Sequence, residues 1–377
     1  MSRQKSSERF RFTAAALLLS GLVFLLPALR GGNPSLYLLA VLVPCVMLLC
    51  GTMLARMFAM DRMILSLVLW LCVSGIAALA PSDPDRALTQ SVHCCTALVA
   101  FLVGGIIIRS LAPSLLTAAC TAFLGLLALA GKLFSASLDL PLTEIALAIL
   151  MISFASLLAR QGTIYALVLG IAVLTLLLVR GSAVDAALWG LAVLFLIFAA
   201  DGRLQLVIPA IAAMALLFFG AFRLFSVPVL SQETDTLPVL VSAGAVGADT
   251  LPDGISLLDP DSLFPFMVGH YGMLFAGFTV MLFLPLFLRG SAVAVSARTR
   301  FHAVLAMGCS LLLSLRALTA LLSMFGIFPL PGLRIPFLTF SLPDLCAQLF
   351  LAGLLCGVSG RNDADLAEDA HLAMLAK

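Results

Sequence analysis

Five ionisable side chains lie inside or at the ends of long apolar runs: Glu144, Asp185, Arg223, Arg316 and Asp344. A charge placed in a membrane-length apolar segment is costly and marks a functional site by default. Arg316 lies deepest, and it could pair with Glu144 or Asp185 across one cavity. Two readings stay open for the set: a cavity open to the outer leaflet, or a buried ion pair that only fixes helix packing. A second acidic group, Glu233, Asp235, Asp249, Asp253, Asp259 and Asp261, is strung along residues 226–262 without any Lys or Arg. Asp259-Pro260-Asp261 also reads as a helix start, because Asp is a preferred N-cap. His93 and His270 stand near span ends and read as interfacial hydrogen-bonding residues rather than ligands.

The elements that must position these groups follow from composition. Of 377 residues, 62% are hydrophobic and 11% charged, against about 45–50% and 25% in globular chains. The excess falls into runs of about 17–25 residues, long enough to cross a bilayer as helices. That pattern excludes a soluble enzyme, a disordered chain and a disulfide scaffold. It also excludes a β-barrel, whose strands alternate apolar and polar residues. The fold class is therefore an all-α polytopic membrane protein. About twelve spans are predicted, near 12–29, 36–55, 63–80, 91–109, 111–130, 142–159, 163–179, 184–200, 204–225, 263–288, 301–325 and 342–359.

Arg3, Lys5, Arg9 and Arg11 precede the first run like the basic start of a signal peptide, but no small-x-small cleavage site follows, so a retained helix is expected. With that end inside, the inner connections hold Arg56, Arg62, Arg109, Arg160, Arg203, Arg289, Arg298, Arg300 and Arg361. The outer ones hold Arg30, Arg86, Lys132, Arg180 and Arg334. This bias predicts both termini in the cytoplasm and the acidic loop 226–262 outside. A loop of that length is functional or disordered, and Gly244, Gly247 and Gly254 suggest a turn-rich fold for it. The net charge of +2 comes from scattered basic residues and gives no nucleic-acid footprint. The nine cysteines lie in or beside apolar runs without metal-ligand spacing, so neither a metal site nor a disulfide framework is expected.

Several segments resemble the SEDS family, the shape, elongation, division and sporulation proteins that include RodA and FtsW. Phe325-Gly-Ile-Phe-Pro-Leu-Pro-Gly-Leu-Arg-Ile-Pro-Phe-Leu-Thr-Phe340 looks like the family's "GLLPLTGxxLPFxSYG" before its final helix. Asp261-Ser-Leu-Phe-Pro-Phe-Met-Val-Gly-His-Tyr-Gly272 is similar to "DFIFAVIGEELG" without a gap, and Ser242-Ala-Gly-Ala-Val-Gly247 resembles "SGGLFG". Thr143-Glu-Ile-Ala-Leu147 resembles "SELAK", preceded by Gly131-Lys132 where the family has Gly and Arg, and Val184-Asp185 stands where "PDLGTA" would be. Asp61-Arg62 and Asp83-Pro-Asp-Arg-Ala-Leu-Thr-Gln90 look like the start of the ten-helix core. The resemblance thus implies two additional transmembrane helices within residues 1–60, a ten-helix core over 61–360 with its long external loop before the tenth span, and a cytoplasmic acidic tail over 361–377. The chain departs from the family at Leu147, where the family has Lys, at Gly269-His270, where it has a Glu pair, and at Ser341-Leu-Pro-Asp344, where it has glycines and serines.

What the resemblance implies is a peptidoglycan glycosyltransferase that polymerises lipid II at the outer face of the plasma membrane. Asp261 stands at the family's essential aspartate and would be the catalytic base. Arg316, Lys132 or Arg334 would help hold the departing pyrophosphate, while Glu144 and Asp185 would shape the cavity. The residues themselves indicate no cofactor; the resemblance would add a divalent cation. It also implies a class B penicillin-binding transpeptidase as partner. Two rival readings stand beside it: a catalytically degenerate SEDS-like scaffold, and a twelve-helix secondary transporter. The transporter is disfavoured because the halves show no internal repeat and the largest loop is external and off-centre.

Overall fold

The computed structural model describes residues 20–25, 28–29, 34–58, 60–111, 114–134, 142–160, 162–202, 208–209, 211–212, 216, 244–245, 247, 263–324 and 334–375. These form a helical bundle. In chain order the helices are α1 (Pro34–Leu49), α2 (Arg62–Leu79), α3 (Pro84–Ser110), α4 (Leu115–Phe134), α5 (Leu142–Arg160), α6 (Thr163–Val179) and α7 (Ala183–Asp201). They continue with α8 (Leu263–Met281), α9 (Phe283–Ser296), α10 (Arg300–Met324) and α11 (Leu342–Leu375). Among the described residues, eight helical segments are long and apolar enough to cross a membrane, with α8 and α9 counted as one. Two shorter apolar helices, Leu115–Gly131 and Thr163–Val179, accompany them. The runs read at 12–29 and 204–225 fall largely outside the described residues.

Two spans are longer than their apolar runs suggested. α3 begins at Pro84 rather than near 91, because Asp83 caps it by accepting from the Arg86 amide at 3.0 Å and Pro84 suits a first helical turn. The tenth span continues past 288 to Ser296. Arg289 reads as a boundary in sequence, yet its guanidinium is neutralised by Asp61 at 2.7 Å. Asp61 also caps α2, accepting from the Met63 amide at 2.9 Å and the Ile64 amide at 3.3 Å, and it accepts from Ser359 Oγ at 3.4 Å. One buried carboxylate thus ties α2, α9 and α11 at the end of the bundle where α2 begins.

The centre of the bundle is the packing of α3 on α11, the most extensive helix pair. Glycines make the approach close. A Cβ on Gly353 would lie 2.1 Å from the Phe101 carbonyl oxygen, and one on Gly104 would lie 2.6 Å from that of Phe350. Small residues at such crossings let helix backbones touch where lipid removes the usual hydrophobic drive. Gly353→Ala is expected to cost about 1–3 kcal/mol through forced separation of the two helices. Gly277, with open space around its Cβ position, should tolerate alanine and gain up to about 1 kcal/mol of helix propensity. Thermal unfolding midpoints of the two purified variants in one detergent check the contrast.

α1 lies at the periphery against α2 and α3 and is mostly lipid-facing. The described cysteines are all unbridged.

Candidate functional site

Glu144 and Asp185 occupy the first turns of α5 and α7. An acid there meets the positive end of the helix dipole. Arg316 reaches both from α10: it forms an ion pair with Glu144, and its second terminal nitrogen donates to Asp185 Oδ1 at 2.9 Å. The three side chains are 13%, 16% and 27% exposed. Breaking such a pair strands a charge in a poor solvent, so each of the three members depends on the others. Beside them Arg180, in the turn after α6, donates to Thr143 Oγ1 at 2.9 Å, while its other terminal nitrogen is buried without a hydrogen-bond partner. Burial lowers the Arg180 pKa from its usual value, and the attraction of Asp185 opposes that shift.

A second ion pair stands at the start of α11, where Asp344 accepts from Arg334 at 2.9 Å. Arg334 opens the segment that leads into this helix, and the segment is bound on several sides. Gln90 of α3 donates to the Thr339 carbonyl at 2.8 Å, and His93 Nδ1 lies 3.2 Å from the Phe340 carbonyl. The Phe337 ring stacks on Phe283 with centroids 6.4 Å apart. Phe337 has φ +67°, the one non-glycine in the left-handed region among the described residues. Such a backbone costs about 1–2 kcal/mol for an L-residue and persists because its surroundings over-determine it. Part of that fixation comes from Gln348 of α11. Its Oε1 accepts from the Phe337 amide at 2.6 Å, and its Nε2 donates to Glu144 at 3.3 Å.

The third component is Gly244 and Ala245, together with Gly247, which dock on α8. That helix is broken at Gly272 (φ 78°, ψ 174°), and the break frees backbone amides that need acceptors. The carbonyls of Gly244 and Ala245 supply them, accepting from Met273 at 3.1 Å and Leu274 at 3.2 Å. Gly247 sits so close that a Cβ there would lie 2.3 Å from the His270 carbonyl. The His270 ring contacts Ser82 and is no part of the charge cluster. Leu147, one turn beyond Glu144, is buried in the apolar core.

Of the residues singled out in sequence, Glu144, Asp185 and Arg316 come together, with Arg316 holding both acids rather than one. Arg334 stands in the neighbouring pair with Asp344. Asp261, Arg223 and the Lys132 side chain lie outside the described residues. Sequence reading passed over Gln348, Gln90 and Arg180. The signal was present for Gln348, an uncharged polar side chain within a predicted span, whereas Gln90 fell just before its predicted span and came inside only because the helix starts at Pro84; both are at most 1% exposed. Each needs partners that only another helix supplies. Glu144, Asp185 and Asp344 are each engaged by a guanidinium, and no group of three metal-ligating side chains forms among the described residues. Three guanidinium groups and three carboxylates therefore make a charge-balanced patch. Its arginines can recruit phosphate oxygens by exchanging a carboxylate partner, since both anions suit the planar donor fork.

Comparison with known proteins bears on this patch. Residues 254–363 match the family model of the FtsW, RodA and SpoVE cell cycle proteins. A probable peptidoglycan glycosyltransferase FtsW of Geobacter sulfurreducens is 36% identical over 87 residues, 22% of this chain and 23% of that protein. Its counterpart in Geobacter metallireducens is 38% identical over 80 residues, 21% of each chain. The chain therefore spans under a quarter of the length of these curated relatives. The fold likeness reaches further. The rod shape determining protein RodA of Thermus thermophilus superposes with a TM-score of 0.58 at 19% identity, covering 80% of this chain and 97% of that one. A chain of a peptidoglycan synthase complex, described for its coordination of polymerization and crosslinking, gives a TM-score of 0.59 at 20% identity, covering 81% and 98%.

Proposed function

We propose, for a chain that belongs to the family of FtsW, RodA and SpoVE cell cycle proteins, that it is a peptidoglycan glycosyltransferase. It polymerises lipid II at the outer face of the plasma membrane. The observation that carries the reading is the family match over residues 254–363, which takes in Asp261, α8 and the segment leading into α11. The RodA-like fold supports it.

In this mechanism Asp261 takes the proton of the acceptor sugar's 4-hydroxyl as that oxygen attacks the anomeric carbon of the donor. The new glycosidic bond forms as the bond to undecaprenyl pyrophosphate breaks. The leaving group carries away the electron pair and is stabilised by cationic donors. Arg316, Lys132 and Arg334 are the donors we assign, with Glu144 and Asp185 holding Arg316 ready. The polyprenyl tail stays in the bilayer while the headgroup meets the patch. The bias of basic residues between spans supports cytoplasmic termini and an external patch. The helices before Asp61 form an accessory pair, and a class B penicillin-binding transpeptidase is the partner. The structural relative in a synthase complex supports such a pairing.

One observation favours a second reading, a lipid II-binding scaffold without turnover. The positions of the family's Lys and Glu pair are filled by a buried leucine and by Gly269-His270, and His270 is occupied with Ser82. Incubating the purified chain with lipid II in liposomes, with and without its transpeptidase, separates the two. Glycan strands of many disaccharides are expected. Saturable lipid II binding without any strand would establish the scaffold, and neither binding nor strands would sink both readings.

A further inference from the structure

Gln348 is buried to 1% exposure and is bonded at both ends of one amide group. The Phe337 N–H must meet an acceptor, which assigns the oxygen, Oε1, to that side at 2.6 Å. The amide nitrogen is thereby turned toward Glu144 Oε2 at 3.3 Å. Glu144 holds Arg316, and Arg316 holds Asp185. The other partner, Phe337, carries the left-handed backbone of the segment that begins at Arg334 and ends against Gln90 and His93. One side chain therefore joins the interior charge cluster to the segment that carries the second ion pair. From this geometry we infer that Gln348 is a positioning residue of the site, locking the Arg334–Phe340 segment in register with the Glu144–Arg316–Asp185 cluster so that Arg316 and Arg334 face one substrate together. The inference rests on the glycosyltransferase reading for its catalytic consequence, but its structural part stands apart from that reading.

The order of donor and acceptor makes the inference testable by exchange. Gln348→Leu removes both bonds. Gln348→Glu keeps an acceptor for Phe337 but sets a second carboxylate oxygen against Glu144. The exchange Glu144→Gln with Gln348→Glu restores a donor–acceptor pair between the two positions and keeps the net charge of the cluster. On the full-length chain in nanodiscs, hydrogen exchange of the peptide containing Phe337 is read first. It should lose protection by about tenfold in Gln348→Leu and in Gln348→Glu, the size expected for loss of a buried hydrogen bond. The exchange variant should recover most of it. Lipid II polymerisation is read second. Turnover should fall by about tenfold or more with little change in KM for both single variants; the exchange variant, which takes the carboxylate from Arg316, is read for protection alone.

Unchanged protection in both single variants, or protection lost equally in the exchange variant, would overturn the tether. Protection that behaves as expected alongside unchanged turnover would overturn the positioning role. A wild-type chain that makes no glycan would sink the glycosyltransferase reading, while the exchange measurement would still decide the tether. Monodisperse elution of each variant separates these outcomes from misfolding, and Gln348→Met repeats the loss of both bonds with a side chain of similar length.

Discussion

Asp261→Asn is expected to abolish lipid II polymerisation, lowering turnover by about 10²–10⁴-fold, the range spanned by loss of a general base. The substitution is chosen to separate two jobs that one aspartate can hold. As an N-cap, asparagine equals aspartate, because either side-chain oxygen accepts from the first free helix amides. A residue that only caps α8 would therefore lose nothing. As a base, asparagine has no proton affinity in the useful range and fails completely. The two outcomes are far apart, so a gel of glycan products made at equal protein and lipid II concentration decides between them. An unchanged thermal midpoint in Asp261→Asn would confirm that the protein tested is folded. Full polymerase activity in the variant would move the base elsewhere and leave Asp261 as a capping residue.

The second large effect concerns stability. Arg316→Leu removes the cation that holds both Glu144 and Asp185, which leaves Glu144 without a counter-charge and Asp185 with only the attraction of Arg180. Breaking a buried pair by removing one partner costs about 3–5 kcal/mol. A corresponding fall in the thermal midpoint in detergent, or loss of the folded protein, is expected. Arg316→Lys should recover only part of the loss, since an ammonium presents a point charge where the guanidinium fork reaches two acids at once. Replacing all three residues together, with leucine, glutamine and asparagine, should restore most of the stability, because a neutral set leaves no charge stranded. That triple variant is expected to stay inactive. Stability without activity would place the cluster in the chemistry as well as in the packing. A single Arg316→Leu variant as stable as wild type would show that the acids find water.

The membrane class and most of the spans were legible in the chain because they depend on local quantities. An apolar run of bilayer length states its own fate. The positions of Glu144 and Asp185 were legible for a similar reason, since each opens a membrane-length run and stands in the first turn of its helix. Asp61 shows where local reading stops. Its capping of α2 follows from its position before the helix, but its pairing with Arg289, 228 residues away, does not. That pairing carried the tenth span past a residue that looked like its boundary.

What the sequence by itself determined, then, is that these charges lie in membrane-length helices and that they need partners. Which partner each takes was decided by the tertiary structure alone. Arg316 and Asp185 are 131 residues apart, and Gln348 and Glu144 are 204 apart. No periodicity along one helix encodes such distances. They arise from the glycine-lined approach of α3 and α11, which sets where α11 enters the bundle and hence which acid Gln348 meets. The same packing holds Phe337 in a backbone conformation that its own residue type disfavours. A burial cost can be read residue by residue, but its compensation depends on geometry that only the assembled helices possess.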